Sequence, residues 1–258
     1  MNKPVRSDGT VGKALDVLDL VADAGRPLRF SEILARSDQP KATLYRLLRT
    51  LTSQRMLAQD AETGSYGPGL RLVRLAHAAW RQASLAPLAR PFLDDLAAQV
   101  GETVHLAQMD AGQVLYVDKR RARDPVEMFS SAGKIGPGYC TGVGKAIMAH
   151  MTDADRDRAL AHQAFFAHTP ATLTTAEALR AELRAVARDG VAYDRQEHEP
   201  GIICIAAPIL AGARVIGAVS VTSTTERHSL DTLAALKTTL TGTAGRIGAA
   251  AVDWHFPT

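Results

Sequence analysis

With 258 residues, 46% of them hydrophobic and 22% charged, the chain has the composition of a folded protein and the length of one large or two ordinary domains. Wholesale disorder is excluded, and no stretch approaches the roughly 18 uninterrupted apolar residues that a membrane span needs. The opening MNKPVRSDGT has no apolar core of the secretory kind, so the expected location is the cytoplasm. Two cysteines, with no CxxC or HExxH spacing, offer neither a disulfide framework nor a metal site. No metal or cofactor is expected.

The net charge of +3 is unevenly spread. Residues 1–83 hold 13 Lys or Arg against 8 Asp or Glu, and residues 84–258 hold 17 against 19. Between Asp38 and Asp60 no acidic residue occurs, whereas Lys41, Arg46, Arg49 and Arg55 fall there. A local basic excess of this kind suits a polyanion.

Apolar residues at helical spacing predict a first helix over residues 11–24, ended by Gly25 and Pro27, and a short second helix over 30–36 with Ser31 near its start. Pro40 suits the opening of a third helix over 41–53, because its φ is already helical. The core face of that helix is Leu44, Leu47, Leu48 and Leu51, which leaves Ala42, Arg46, Arg49 and Ser53 pointing away and Thr43 and Tyr45 on the flanks. Residues 56–59 and 65–66 read as two short strands around a polar turn. Three helices followed by a hairpin is the order of a winged helix-turn-helix, whose third helix enters the major groove. Arg can read guanine edges or hold phosphates, and Tyr and Thr can reach phosphates or thymine methyls. The alternative is a helix that merely solvates its basic face.

A helix over residues 70–83, with Leu72, Val73, Ala76, Ala79, Trp80 and Ala83 on one side, reads either as core packing or as a linker pairing with its copy in a second subunit. Beyond Ser84 the pattern is α+β. A helix over 85–100 precedes strands at 103–108, 114–118 and 126–129, then a glycine-rich stretch leading to a helix from about Thr141. Helices over 153–162 and 175–189 precede a buried hairpin, 202–210 and 214–221, and a last helix spans 229–251.

Gly142-Val143-Gly144-Lys145 fails as a phosphate loop, because Tyr139 and Ala146 stand where Gly and Ser or Thr are required. Glycines at a helix start still expose backbone N–H groups to which a carboxylate can bind, or else they only permit a tight turn. Cys204, on a strand expected to be buried, is either a nucleophile with His198 or a small hydrophobe in a pocket wall. Asp194 and Glu197 read as an acid/base pair, as ligand-hydroxyl binders or as solvated loop residues. Ser220 and Thr222 share one strand face and would offer hydroxyls to a polar ligand.

VGKALDVLDLVAD, PKATLYRLLRTL, SYGPGLRLVRLA, YCTGVGKAIMA and above all GVAYDRQEHEPGIICIAAPI resemble the IclR family of bacterial transcription regulators over nearly the whole chain. Departures are Leu210-Ala211-Gly212, where relatives often carry an aromatic followed by Asp or Asn, and Gly67-Pro68-Gly69, where Leu-Gly is common. The resemblance implies a winged helix-turn-helix DNA-binding domain over 1–69, a linker helix over 70–83 and a GAF-like α/β effector-binding domain over 84–258. It implies a homodimer or tetramer that is not an enzyme, bound to a double-stranded DNA operator and controlled by a small organic acid, with sugar acids as the narrower expectation. The expected role is repression of a catabolic operon. DNA contacts are expected from Ser31, Lys41, Ala42, Thr43, Tyr45, Arg46 and Arg49. Effector contacts are expected from Tyr139, Gly142, Val143, Asp194, Ile202, Cys204, Ser220 and Thr222. A thiol-dependent hydrolase using Cys204 and an adaptor without DNA binding are the alternatives.

Overall fold

The computed structural model describes residues 9–124 and 126–254; the segment 1–8, read above for a signal, lies outside them. The chain divides between Gln82 and Ala83 into two compact units.

The first unit comprises α1 (Thr10–Asp23), α2 (Phe30–Arg36), α3 (Lys41–Ser53), β1 (Leu57–Gln59) and β2 (Tyr66–Pro68), followed by α4 (Leu70–Ala83). Its core gathers Val17 and Val21 of α1, Ile33 of α2, the four expected leucines of α3, and Leu57 and Tyr66 of the hairpin. Truncating any one of these leucines to alanine is worth about 2–5 kcal/mol. Pro40 caps α3 rather than occupying its first turn, and its carbonyl accepts from the Leu44 amide at 2.9 Å. Leu28 and Tyr66 exchange backbone hydrogen bonds of 2.9 and 2.7 Å, which stitches the α1–α2 connection to the hairpin. At the hairpin tip Asp60 Oδ1 accepts from the amides of Glu62 and Thr63, and Gly64 takes the positive φ that closes the turn. On α4, Leu72 packs against the core, whereas Leu70, Val73 and Leu75 are 84%, 53% and 44% exposed.

The second unit runs α5 (Ala86–Val100), β3 (Thr103–Asp110), β4 (Gln113–Arg120), β5 (Ile135–Pro137), α6 (Gly142–Ala149), α7 (Asp153–Ala161), α8 (Ala176–Asp189), β6 (Ala192–Arg195), β7 (Ile202–Ala211), β8 (Arg214–Thr224), α9 (Leu230–Ala234) and α10 (Lys237–Ala250). Its six strands form one antiparallel sheet in the order β5-β4-β3-β8-β7-β6. Helix α6 packs on the sheet with α8 against it, while α5 and α10 pack on each other and on the sheet. Covered on both faces, β7 and β8 are buried in unbroken runs through their middles, residues 203–207 and 216–223, which is why they read as continuous apolar runs rather than alternating ones.

Three expectations need correction. Residues 126–129 form no strand; the Phe129 amide donates to Glu199 Oε1 at 2.6 Å instead of to a neighbouring strand. The strand in that region is β5, and β6 was not expected, because three or four residues of mixed polarity carry no period of their own. The last helix is two, α9 and α10, interrupted at Ala235 and Leu236. Among the described residues no helix is long and apolar enough to cross a membrane.

Candidate functional site

Two surfaces gather the residues singled out from the sequence. On the first unit, burial of the α3 leucines leaves Lys41, Ala42, Tyr45, Arg46 and Arg49 exposed, with Thr43 half-buried on the flank and Ser31 exposed at the start of α2. A groove of about 660 Å³ lies between α3 and the hairpin, lined by Phe30, Lys41, Ala42, Tyr45, Gln59 and Gly64 among others. The Tyr45 ring meets Phe30 edge to face at 6.4 Å, so Tyr45 is held upright beside the groove. Gln59 and Gly64 were not legible as part of this surface, because only hairpin register brings them opposite α3.

On the second unit, strand register sets two rows of side chains on one sheet face. Asp194, Cys204 and Thr222 pair across β6, β7 and β8, and Ala206, Ser220, His105 and Lys119 pair across β7, β8, β3 and β4. Above this face sits the start of α6. Thr141 caps it, its Oγ1 accepting from the Gly144 amide at 3.3 Å and donating to the Pro137 carbonyl at 2.9 Å. Glycine is required at 142 and 144 by approach rather than by φ: a β-carbon would strike Cys204 Sγ from Gly142 and the Gly138 backbone from Gly144.

Between helix and sheet lies a cavity of about 40 Å³, room for one or two waters. Gly142, Val143, Asp194, Ile202, Cys204, Ser220 and Thr222 all line it. Tyr139 does not: its amide donates to Gln163 Oε1 at 3.1 Å, its hydroxyl to the Phe166 carbonyl at 2.6 Å, and its ring packs on Phe165. The backbone turn before Thr141 aims that side chain toward the α7–α8 connection. The wall also includes His198, considered from the sequence only as a partner of Cys204, and His105, Tyr116, Met128, Phe129, Ser130, Thr141 and Glu199, which sequence reasoning missed. A histidine inside an apolar strand was the one available signal, at His105.

The site's electrostatics follow from burial. Asp194 is pushed up to about 7 by desolvation and by the nearby carboxylates Glu197 and Glu199, although the Glu197 amide, donating to Oδ1 at 2.7 Å, and Lys145 pull the other way. Burial, with Lys119 adding repulsion, pulls His105 down to about 3; burial, His168 and Lys134 pull His198 down to about 4. Both imidazoles are therefore neutral at physiological pH. Cys204 is pushed up to about 12, chiefly by burial and then by Asp194, and no hydrogen bond joins it to a histidine among the described residues. A thiol in that state is no nucleophile. Lys145, the residue that mimics a phosphate loop, is wholly buried and paired with Glu197 and Glu182. Among the described residues no cluster could hold a metal ion. The arrangement offers hydroxyls, helix-start amides and a protonatable carboxyl, which is chemistry for holding a small polar molecule.

A family model described as the IclR helix-turn-helix domain matches residues 10–61, and one described as the bacterial transcriptional regulator IclR C-terminal matches residues 77–249. The HTH-type transcriptional regulator BhcR of Paracoccus denitrificans is 34% identical over 226 residues, covering 87% of this chain and 80% of that protein. The HTH-type transcriptional regulator XynR of Escherichia coli is 31% identical over 219 residues, covering 84% and 87%. Among solved structures, the IclR transcriptional regulator from Alicyclobacillus acidocaldarius shares 25% identity with a TM-score of 0.79, over 94% of this chain and 98% of that one. The chain belongs to the IclR family of DNA-binding transcriptional regulators, with an N-terminal helix-turn-helix and a C-terminal effector-binding domain.

Proposed function

We propose that the chain is a cytoplasmic repressor of a catabolic operon, released or repositioned on its operator by a small organic acid, in the narrower reading a sugar acid, held in the cavity between α6 and the sheet. The domains follow the sequence reading: DNA binding by 1–69, linkage by 70–83, effector binding by 84–258. Ser31, Lys41, Ala42, Thr43, Tyr45, Arg46 and Arg49 are the DNA contacts, and Gly142, Val143, Asp194, Ile202, Cys204, Ser220 and Thr222 hold the acid. Two copies, paired through the exposed apolar side of α4, present two recognition helices to adjacent half-sites, and a tetramer would pair two such dimers.

The observation that carries the effector reading is Asp194 facing the α6 start across the cavity with its carboxyl held near neutrality. A protonated carboxyl donates to an anion instead of repelling it, and the helix-start amides add donors and a favourable dipole. A protonated Cys204 favours binding over hydrolysis. With room for only one or two waters, the cavity takes an organic acid, even one of five or six heavy atoms, when the Phe129 and His198 side gives way. Any coupling to DNA is bounded by the ligand's differential affinity for the two states.

The test is footprinting of the DNA upstream of the gene across a salt series, with and without a panel of sugar acids and short keto acids. A protected pseudo-palindrome that changes with one acid is expected. A calorimetrically confirmed, saturating ligand that left DNA affinity and footprint unchanged would sink the effector reading, and no protection at low salt would sink the DNA reading.

A further inference from the structure

His105 is buried in the middle of the sheet and touches three hydroxyls. Its Nε2 lies 2.7 Å from Ser130 Oγ; its Nδ1 lies 3.2 Å from Thr222 Oγ1 and 3.5 Å from Ser220 Oγ. Its ring meets Tyr116 edge to face at 5.4 Å, a contact that adds to the hydroxyls in holding its orientation. A neutral imidazole has one N–H and one bare nitrogen. The nitrogen that carries the proton therefore decides which hydroxyls must donate to the ring and which keep their protons for the cavity.

Lys119 breaks that symmetry. Its ammonium donates to the Ser130 carbonyl at 2.7 Å and lies 3.4 Å from Ser130 Oγ. A cation on one side of a hydroxyl oxygen occupies a lone pair and makes the O–H a stronger donor. Ser130 is thereby set to donate to Nε2, which leaves the imidazole proton on Nδ1, facing Thr222 and Ser220. Oxygens that accept from Nδ1–H keep their own protons free.

We infer that His105, held as its Nδ1–H tautomer by Ser130 and Lys119, is a positioning residue that turns the Ser220 and Thr222 hydroxyl protons into the cavity, so that the cavity selects ligands presenting acceptor oxygens, as a 2-oxo acid does beside its carboxylate. The inference rests on the proposed effector role of this cavity. The low pKa that burial imposes on His105 agrees with it, because a doubly protonated ring would take Nε2 away as an acceptor.

Nitrogen-15 NMR of the full-length protein, with labelled histidine and His105 assigned by its loss in His105→Gln, reads the tautomer directly. A protonated Nδ1 with a bare Nε2 is expected, shifting toward a mixture in Lys119→Met; a protonated Nε2 in the wild type, or no response to Lys119→Met, overturns the tautomer assignment. Calorimetry with pyruvate and propionate, acids of equal carbon number, then reads selection. Pyruvate is expected to bind at least about tenfold more tightly, the worth of one hydrogen bond of roughly 1.4 kcal/mol, and His105→Gln is expected to erase the difference. Equal binding of the two acids overturns the selection while sparing the acid-effector reading. Binding of neither overturns the selection and counts against that reading too, with the tautomer result standing on its own.

Discussion

Lys145 on α6 and Glu197, beyond the end of β6, form an ion pair in which the two side chains are 0% and 3% exposed. The pair ties the glycine-rich helix to the segment carrying Asp194 and His198, and so fixes the distance between the two sides of the cavity. Glu197 Oε2 has no hydrogen-bond partner among the described residues, and Glu182 shares Lys145 with Glu197 while also taking Arg195 at 2.7 Å. Lys145→Met leaves a buried carboxylate without its cation and is expected to destabilise by about 3–5 kcal/mol. Chemical unfolding checks this, and a Lys145→Met, Glu197→Leu double variant should recover most of the loss. Equal loss in the single and double variants would mean that packing, not charge, is what Lys145 supplies.

Arg46 is exposed on α3 with no side-chain partner among the described residues' hydrogen bonds. Arg46→Ala is expected to weaken operator binding by about 1–3 kcal/mol if the guanidinium reads a base, and to relax specificity at that base pair. Lys41→Ala should weaken all sequences alike and lower the salt slope by about one. Competition binding at two salt concentrations separates the two cases, with thermal unfolding to verify that both variants keep the fold.

Asp194 makes the acid site pH-dependent. Its carboxyl is raised from 3.8 to about 7 by burial, with Glu197 and Glu199 adding and Lys145 opposing. The neutral form favours an anionic ligand, so carboxylate affinity is expected to fall as pH rises from about 6 to about 8, by up to tenfold per unit. The same shift affects stability: a carboxyl raised in the folded state contributes stability present below the unfolded value, lost as pH rises from about 4 to about 7. Calorimetric titration at several pH values should show the slope in the wild type and a flat profile in Asp194→Asn.

Cys140 and Cys204 are both buried, and desolvation pushes both thiols up. Neither is expected to react with iodoacetamide at neutral pH in the native protein, and both should react once it is unfolded. Cys204→Ser is expected to alter the response to acid while leaving operator affinity unchanged. Rapid native labelling, or loss of a measurable ester or peptide turnover in Cys204→Ser, would restore a catalytic role for this thiol.

Elements whose periodicity is long and strong were legible before any tertiary contact was known. The leucine face of α3, and with it the outward set Ala42, Arg46 and Arg49, followed from 3.6-residue spacing, because a helix fixes its own faces locally. The apolar runs of β7 and β8 followed from their burial on both sides. Gly142, Asp194 and Cys204 were expected at one site through the family resemblance, which carried their positions but not their geometry. Tertiary structure alone decided which residues meet. His105, Ser130 and Lys119 come from three separate segments and are joined by cross-strand register and a loop return, neither of which leaves a local signal. Likewise Lys145, which the sequence already excluded as part of a phosphate loop, meets its partners Glu197 and Glu182 only through packing, and Tyr139 left the cavity because a turn, not a repeat, sets its direction. A period constrains where a side chain points within its own element. Only packing between elements decides what it faces, and in this protein the cavity, its protonation state and its hydrogen-bond polarity all arise there.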